Sequence, residues 1–158
     1  MIKKIIAGGQ TKADQAALDM AIRLRIPHGG WTPKDRIAGA GLILIPKRFK
    51  LQEMQTDNYS ECIKQNVIDS MGTLIISYGT LTGDLDYARK MALRHRCQML
   101  GIDLNQMDDA KAAILLNDWI QLYRIDVLHV IGPNAEVNPY VRNQTENIIE
   151  GALTMRSV

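Results

Sequence analysis

Two cysteines in 158 residues, Cys62 and Cys97, are too few for a disulfide framework. A reducing compartment suits such a chain. No apolar run approaches the roughly 20 residues that cross a bilayer. The opening MIKKIIAGGQ is broken by glycines too early for a signal peptide. Charge of one sign is also missing. Nineteen Lys and Arg against 17 Asp and Glu leave +2, which removes the global electrostatic case for a nucleic-acid polymer or a membrane surface. His28, His95, His129, Cys62 and Cys97 are scattered, so no metal-ligand spacing emerges. His129 lies in an apolar run and reads as a buried core histidine. There is no G-x-G-x-x-G after the first strand and no G-x-x-x-x-G-K-[ST] anywhere. Ordinary dinucleotide-dehydrogenase and P-loop readings lose their support. Repeats, linkers and low-complexity stretches are absent too. The expectation is one soluble, cytoplasmic domain over residues 1–158.

What is present is an ordinary globular composition, 46% apolar and 23% charged. A domain of this length buries roughly 68–70% of its unfolded surface. Strand and helix patterns alternate. Residues 2–7 read as a buried strand and 12–24 as a helix capped by Thr11, with Asp14 closing a shortened capping box. Residues 59–69 are a second helix. GTLIIS reads as a central parallel strand, apolar on both faces. A helix over 85–95, a strand at CQMLGID, a helix over 108–123 and a strand at DVLHVIG follow. Asn138-Pro139 starts a last helix running to about Leu153. Residues 25–58 are ambiguous, with one or two short strands. This alternation predicts a single Rossmann-like three-layer α/β domain, a mostly parallel sheet with helices on both faces.

In such a sheet ligands bind beyond the carboxyl ends of the strands. Four loops there carry glycine: Gly8-Gly9-Gln10-Thr11, His28-Gly29-Gly30-Trp31, Gly79-Thr80-Leu81-Thr82-Gly83 and Gly132-Pro133-Asn134. Glycine lets a ligand approach the backbone, helix N-termini bind anions, and threonine hydroxyls donate without adding charge. The pattern points to a phosphate- or nucleotide-like site. Residues 32–50 hold five cations (Lys34, Arg36, Lys47, Arg48, Lys50) against Asp35 alone. That loop could cover an anionic tail, with Lys34 and Arg36 nearest the pocket. Its Ala38-Gly39-Ala40-Gly41 stretch suggests mobility. Trp31 could stack on a purine or pterin ring.

Gly8-Gly9-Gln10-Thr11, Asp14, Ala16-Ala17-Leu18-Asp19, IPHGGWTPKDR, LQEM, GTLIIS and LTG together resemble the putative molybdenum carrier family. These are Rossmann-like proteins related to the nucleotide phosphoribohydrolases once called lysine decarboxylases. The resemblance covers nearly the whole chain and is densest over residues 8–83. It implies molybdenum cofactor, a pterin with a phosphate or nucleotide tail, as ligand. The chain departs from the family pattern at Lys12, Thr32 and Asp84-Leu85, and a carboxylate at Asp84 would repel phosphate. It also lacks the P-G-G-x-G-T-x-x-E pattern of the phosphoribohydrolases.

Three functions follow. The first is a carrier or binding protein for a phosphorylated heterocycle, with Gly8, Gly9, Gln10, Thr11, Asp14, Gly29, Gly30, Trp31, Lys34, Arg36, Gly79, Thr80, Thr82 and Gly83 around the ligand and no catalytic residue. The second is a nucleoside-monophosphate phosphoribohydrolase-like enzyme using Asp14, Asp84 or Asp86. The third is a nucleotide-sensing module. Surplus apolar residues such as Leu18 and Ile22 on the first helix predict a homodimer or higher homo-oligomer.

Overall fold

The computed structural model describes residues 1–38 and 43–155. Five parallel strands form the sheet: β1 (Lys4–Ile6), β2 (His28–Gly29), β7 (Gly72–Ser77), β8 (Gln98–Asp103) and β9 (Val127–Ile131). Between β2 and β7 come β3 (Trp31–Thr32) paired with β6 (Gln52–Glu53), and the antiparallel pair β4 (Ile37–Ala38) and β5 (Ile43–Leu44). The helices are α1 (Lys12–Arg23), α2 (Tyr59–Ile68), α3 (Gly83–Arg94), α4 (Asp109–Tyr123) and α5 (Val141–Thr154). The strand order is β2-β1-β9-β7-β8, so the first and last strands lie side by side. Read from β7 onward, with the two chain ends joined, that order becomes second-first-third-fourth-fifth. This is the doubly wound arrangement of flavodoxin-like sheets.

Helix α5 packs between α1 and α4 on one face, and α2 packs with α3 on the other. Three layers result, as the alternating pattern predicts. All six residues of β7 are buried because both faces are covered. Ile5, Leu74, Ile76, Leu128 and Val130 fill the main core with Leu116, Ile148 and Ile149 from the helices. Full burial of each such side chain contributes about 1.5–3 kcal/mol. No helix among the described residues is long and apolar enough to cross a membrane.

Three features differ from the sequence reading. Helix α5 begins at Val141, because Asn138 folds back to accept the Tyr140 N–H at 2.8 Å and its carbonyl takes the Val141 N–H. The Asn138-Pro139 pair makes a turn instead of the cap. The region 25–58 holds five short strands where one or two were expected. Leu18 is buried against Ala7, Ile45 and Phe49, so it leaves no surplus surface; Ile22 does stand exposed.

Arg124, the cap residue ending α4, adopts the left-handed conformation at φ 53°. Glycine occupies such a position without steric cost. A side chain there costs about 1–2 kcal/mol, against about 0.4–1 kcal/mol for glycine's extra unfolded-state freedom. Arg124→Gly should therefore raise stability by about 0.5–1 kcal/mol, read as a higher urea midpoint at unchanged slope.

Candidate functional site

All five strands run parallel, so the turns after β1, β2, β7 and β9 share one edge, here called the crest. The Gly8–Thr11 and Gly79–Gly83 turns are separated by one strand, β9, whose exit is Gly132. At strand spacings near 4.8 Å they stand about 10 Å apart.

Thr11 caps α1. Its hydroxyl accepts the Asp14 N–H at 3.2 Å and donates to the Gly132 carbonyl at 2.8 Å, tying the β1 turn to the β9 turn. Both uses are internal, so Thr11 stabilises the crest through the cap. Asp14 is fully buried. Its Oδ2 accepts from the Gln10 N–H and from the Tyr59 hydroxyl, each at 3.2 Å, while Oδ1 makes no hydrogen bond. Burial pushes the Asp14 carboxyl up to about 6, held back by Thr11, Tyr59 and the Gln10 backbone. The same burial, with Asp14 beside it, pushes the Tyr59 phenol well above its ordinary value. Tyr59 is absent from the sequence-derived site. Its signal was modest, a tyrosine at the start of a helix capped by Asn58.

The first turn of α1 uses its amides internally. Lys12 N–H meets Asn134 Oδ1 at 3.3 Å, Ala13 N–H meets the Pro133 carbonyl at 3.4 Å, and Asp14 N–H meets Thr11. Among the described residues, no hydrogen bond engages the N–H groups of Gly8, Gly9 or Thr11. The β7 turn is more open. Gly79 donates its N–H to Asp103 at 2.9 Å, but Thr80 and Thr82 are without hydroxyl partners and Thr82 caps α3 without a side-chain bond. Gly83 follows with φ +54° at the first turn of α3.

Gly9 has φ +77°, a conformation that favours glycine. A Cβ there would sit 3.0 Å from Ile45 Cγ2 and 3.2 Å from Leu51 Cδ1. Gly8 lies under the Tyr59 ring. The glycine pair thus threads between two packed side-chain groups. A bulky residue at Gly9 would disturb packing as well as any ligand.

The outer candidates are committed elsewhere. Gly29 is in β2, and Gly30, at φ +132°, passes against the Ala7 carbonyl. Trp31 is clamped through its backbone by Asn66 and gives its indole N–H to Asp69 at 2.9 Å, at the end of α2 remote from Tyr59. Stacking on a crest ligand would require that bond to break. Arg36 donates to the Pro46 and Phe49 carbonyls, each at 2.7 Å, which holds the 46–49 turn. Arg48 pairs with Asp19, as does Arg142 from α5. Lys34 is exposed and in no ion pair. Gln10 reaches the Ile37 carbonyl at 3.2 Å, so the basic segment does border the β1 turn. Gly39, Ala40 and Gly41, expected to give that segment mobility, lie outside the described residues. Among the described residues no three His, Cys, Asp or Glu side chains converge as a metal site. A groove of about 730 Å³ opens at the opposite edge of the sheet, bounded by Ile2, Leu24, Ile26, Ile120 and Met155 among others.

A family model, the circularly permutated YpsA SLOG family, matches residues 5–153. The chain belongs to that family. The strand order explains the name, since the sheet takes the flavodoxin-like order once the chain is reopened before β7. The chain is also similar to the crystal structure of a putative molybdenum carrier protein from Syntrophus aciditrophicus SB. The two are 44% identical over 97% of this chain and 96% of that one, with a TM-score of 0.91. The resemblance read from the glycine turns is thus met over nearly the whole chain of this cpYpsA protein. No curated protein matches it.

Two buried groups give the stability of this domain opposing pH dependences. Between about pH 4 and 6, native Asp14 holds a proton that the unfolded carboxyl, at 3.8, has lost. Its contribution therefore falls as pH rises, by about 3 kcal/mol in all. His129 is buried beside Thr73, and burial lowers it to about 3 from 6.5. The unfolded chain binds that proton first, so this contribution falls as pH drops below 6.5. The two slopes cancel over pH 4–6. His129→Gln should expose a loss of stability from pH 4 to 6 in urea titrations, and Asp14→Asn should expose a gain. Parallel profiles in the two variants would refute the assignment.

Proposed function

We propose that this chain is a carrier that binds a phosphorylated heterocycle across the crest, with molybdenum cofactor as its first candidate. One observation carries the reading. Unbonded backbone amides at Gly8 and Gly9 and the free hydroxyls of Thr80 and Thr82 lie on the same edge, either side of the β9 exit. Neutral donors at strand ends, beside the first turn of a helix, suit a phosphate group. The topology supports the location, because in the reopened order β9 and β7 flank the switch point where doubly wound sheets hold ligands. The similarity to a structure described as a putative molybdenum carrier protein supports the choice of cargo. The chain would hold the organic part of that cargo, its phosphate and ring, by the crest.

The hydrolytic alternative needs a carboxyl that touches the sugar. Asp14 is fully buried, and Asp86 is paired with Arg89 and Lys90. Asp84 remains, exposed at the first turn of α3, its carboxyl raised by desolvation. A carboxylate there discourages a phosphate placed directly over α3 and favours one nearer Thr80 and Gly8.

Guanosine monophosphate and inorganic phosphate serve as probes. The double variant Thr80→Val with Thr82→Val should weaken nucleotide binding about tenfold in calorimetry, the equivalent of about 1.4 kcal/mol. Its thermal midpoint should not move, since neither hydroxyl has an internal partner. Equal affinity in the variant and the parent would sink the proposed site. Mass spectrometry of ligand released from the purified protein identifies the cargo directly.

A further inference from the structure

Three helices end in the same turn with the same residue at its centre. After α1, α3 and α4 the chain reverses through Arg25, Arg96 and Arg124, each in the left-handed conformation, at φ 58°, 55° and 53°. In each turn the next N–H, that of Ile26, Cys97 or Ile125, reaches the carbonyl of Ala21, Ala92 or Ile120, at 2.8, 2.9 and 3.0 Å. Such turns usually take glycine and sometimes asparagine. The helix dipole favours a cation near its end, but Arg23 and Arg94 already supply one in the last turns of α1 and α3. The dipole thus leaves the strained arginines of those two helices unexplained.

Parallel strands put all three turns at the base, the edge opposite the crest. Arg25 leads into β2, Arg124 into β9 and Arg96 into β8, the first, third and fifth strands across the sheet. At about 4.8 Å per strand they form a row of about 20 Å in steps of about 10 Å. All three are exposed and enter no ion pair among the described residues. The acids of the base are engaged: Asp126 pairs with Lys3, and Asp69 takes the Trp31 indole and the Gln65 amide. Apolar side chains fill the intervals. Met1 precedes β1, and Met71, 43% exposed, leads into β7. Leu93, Leu122 and Tyr123, from the last turns of α3 and α4, stand exposed around the row. The groove of about 730 Å³ opens beside Arg25, over Ile2, Leu24, Ile26 and Ile120.

We propose that the base docks a partner protein through an acidic amphipathic helix laid along this row. Its carboxylates recur a heptad apart, since seven helical residues rise about 10.5 Å. Apolar side chains midway between them share that face and meet the methionines and the groove. The other occupants fail on charge or shape. Base against base, a second copy would oppose arginine to arginine about a two-fold axis. A nucleic acid would cover the arginines with phosphates and leave the exposed methionine and leucine unmatched. A bilayer presents no side chain to fill a groove, whereas a protein interface centres on such anchors in pockets. The contact does not depend on the carrier reading, because none of these residues lies at the crest.

Fluorescence anisotropy tests it with a labelled synthetic helix that carries three glutamates a heptad apart, leucine midway between them on the same face, and alanine and glutamine elsewhere. The parent chain should bind it, and should not bind the same peptide with lysine in place of glutamate. Arg25→Gly, Arg96→Gly and Arg124→Gly together should weaken binding about tenfold or more, the combined effect of three exposed ion pairs. The thermal midpoint of that variant should not fall, since glycine takes each turn freely. Arg25→Glu, Arg96→Glu and Arg124→Glu together should prefer the lysine peptide, an exchange that a purely structural role for the arginines would not produce. A parent that ignores the acidic peptide, or a glycine variant that binds it as well as the parent does, overturns the proposal. So does binding to phosphatidylserine vesicles in preference to the peptide, or a parent that self-associates until the three arginines are replaced.

Discussion

The carboxylate of Asp14 takes hydrogen bonds from the Gln10 backbone and the Tyr59 hydroxyl, so the β1 turn, the first turn of α1 and the start of α2 share one buried anchor. Thr11 extends that anchor to β9 through the Gly132 carbonyl. Burying a carboxylate is costly unless it is well bonded, and here one oxygen has no hydrogen bond. The raised pKa expresses the remaining cost. In exchange, three elements from opposite faces of the sheet are fixed at one point. The N-terminal amides of α1 are used up beside it by Asn134, the Pro133 carbonyl and Thr11. An anion at this crest must therefore turn to the glycine amides just before the helix and to the β7 turn beyond β9.

The permuted order leaves this arrangement intact. Moving the chain ends changes which loop is cut and leaves the strand ends where they are. In this chain the break falls between α5 and β1, at the edge opposite the crest. Joining β1 directly to β9 in the sheet places the Gly8–Gly9 turn beside the Gly132 turn, although Gly9 and Gly132 stand 123 positions apart in sequence. Thr11 and Asn134 exploit that closeness with direct bonds to the other turn.

Strands and helices were legible because each carries a complete local pattern. β7 is apolar on both faces and α4 is capped by Asp108 with an acid in its first turn. The five short strands over residues 28–53 were not, since two-residue strands carry no period. Their pairing depends on partners far along the chain, Trp31 with Gln52 and Thr32 with Glu53. The glycine turns were visible as composition, and their common edge followed from parallel topology. What composition hid was where each polar group finds its partner. Thr11 and Thr82 look alike in sequence as helix caps, yet the Thr11 hydroxyl is bonded twice within the chain and the Thr82 hydroxyl not at all among the described residues. One of those two bonds, to the Gly132 carbonyl, spans 121 residues.

The basic segment 32–50 shows the same limit from the side of charge. Arg36 holds the 46–49 turn by its carbonyls, and Arg48, stacked over Phe49, pairs with Asp19. Guanidinium groups make such multiple bonds readily, so Arg36 closes the segment on itself and Arg48 fastens it to α1, where a charge count alone reads both as anion binders. Lys34, Arg36, Lys47 and Lys50 enter no ion pair among the described residues. On the carrier reading this division has a physical consequence. A ligand gripped by amides and hydroxyls can leave without separating ion pairs, and the two guanidinium groups of the segment are held by the Pro46 and Phe49 carbonyls and by Asp19. Tight positioning then comes from the packed glycine turn, whose backbone is wedged between Tyr59 and Ile45, while release needs only the breaking of neutral hydrogen bonds that water replaces at little net cost.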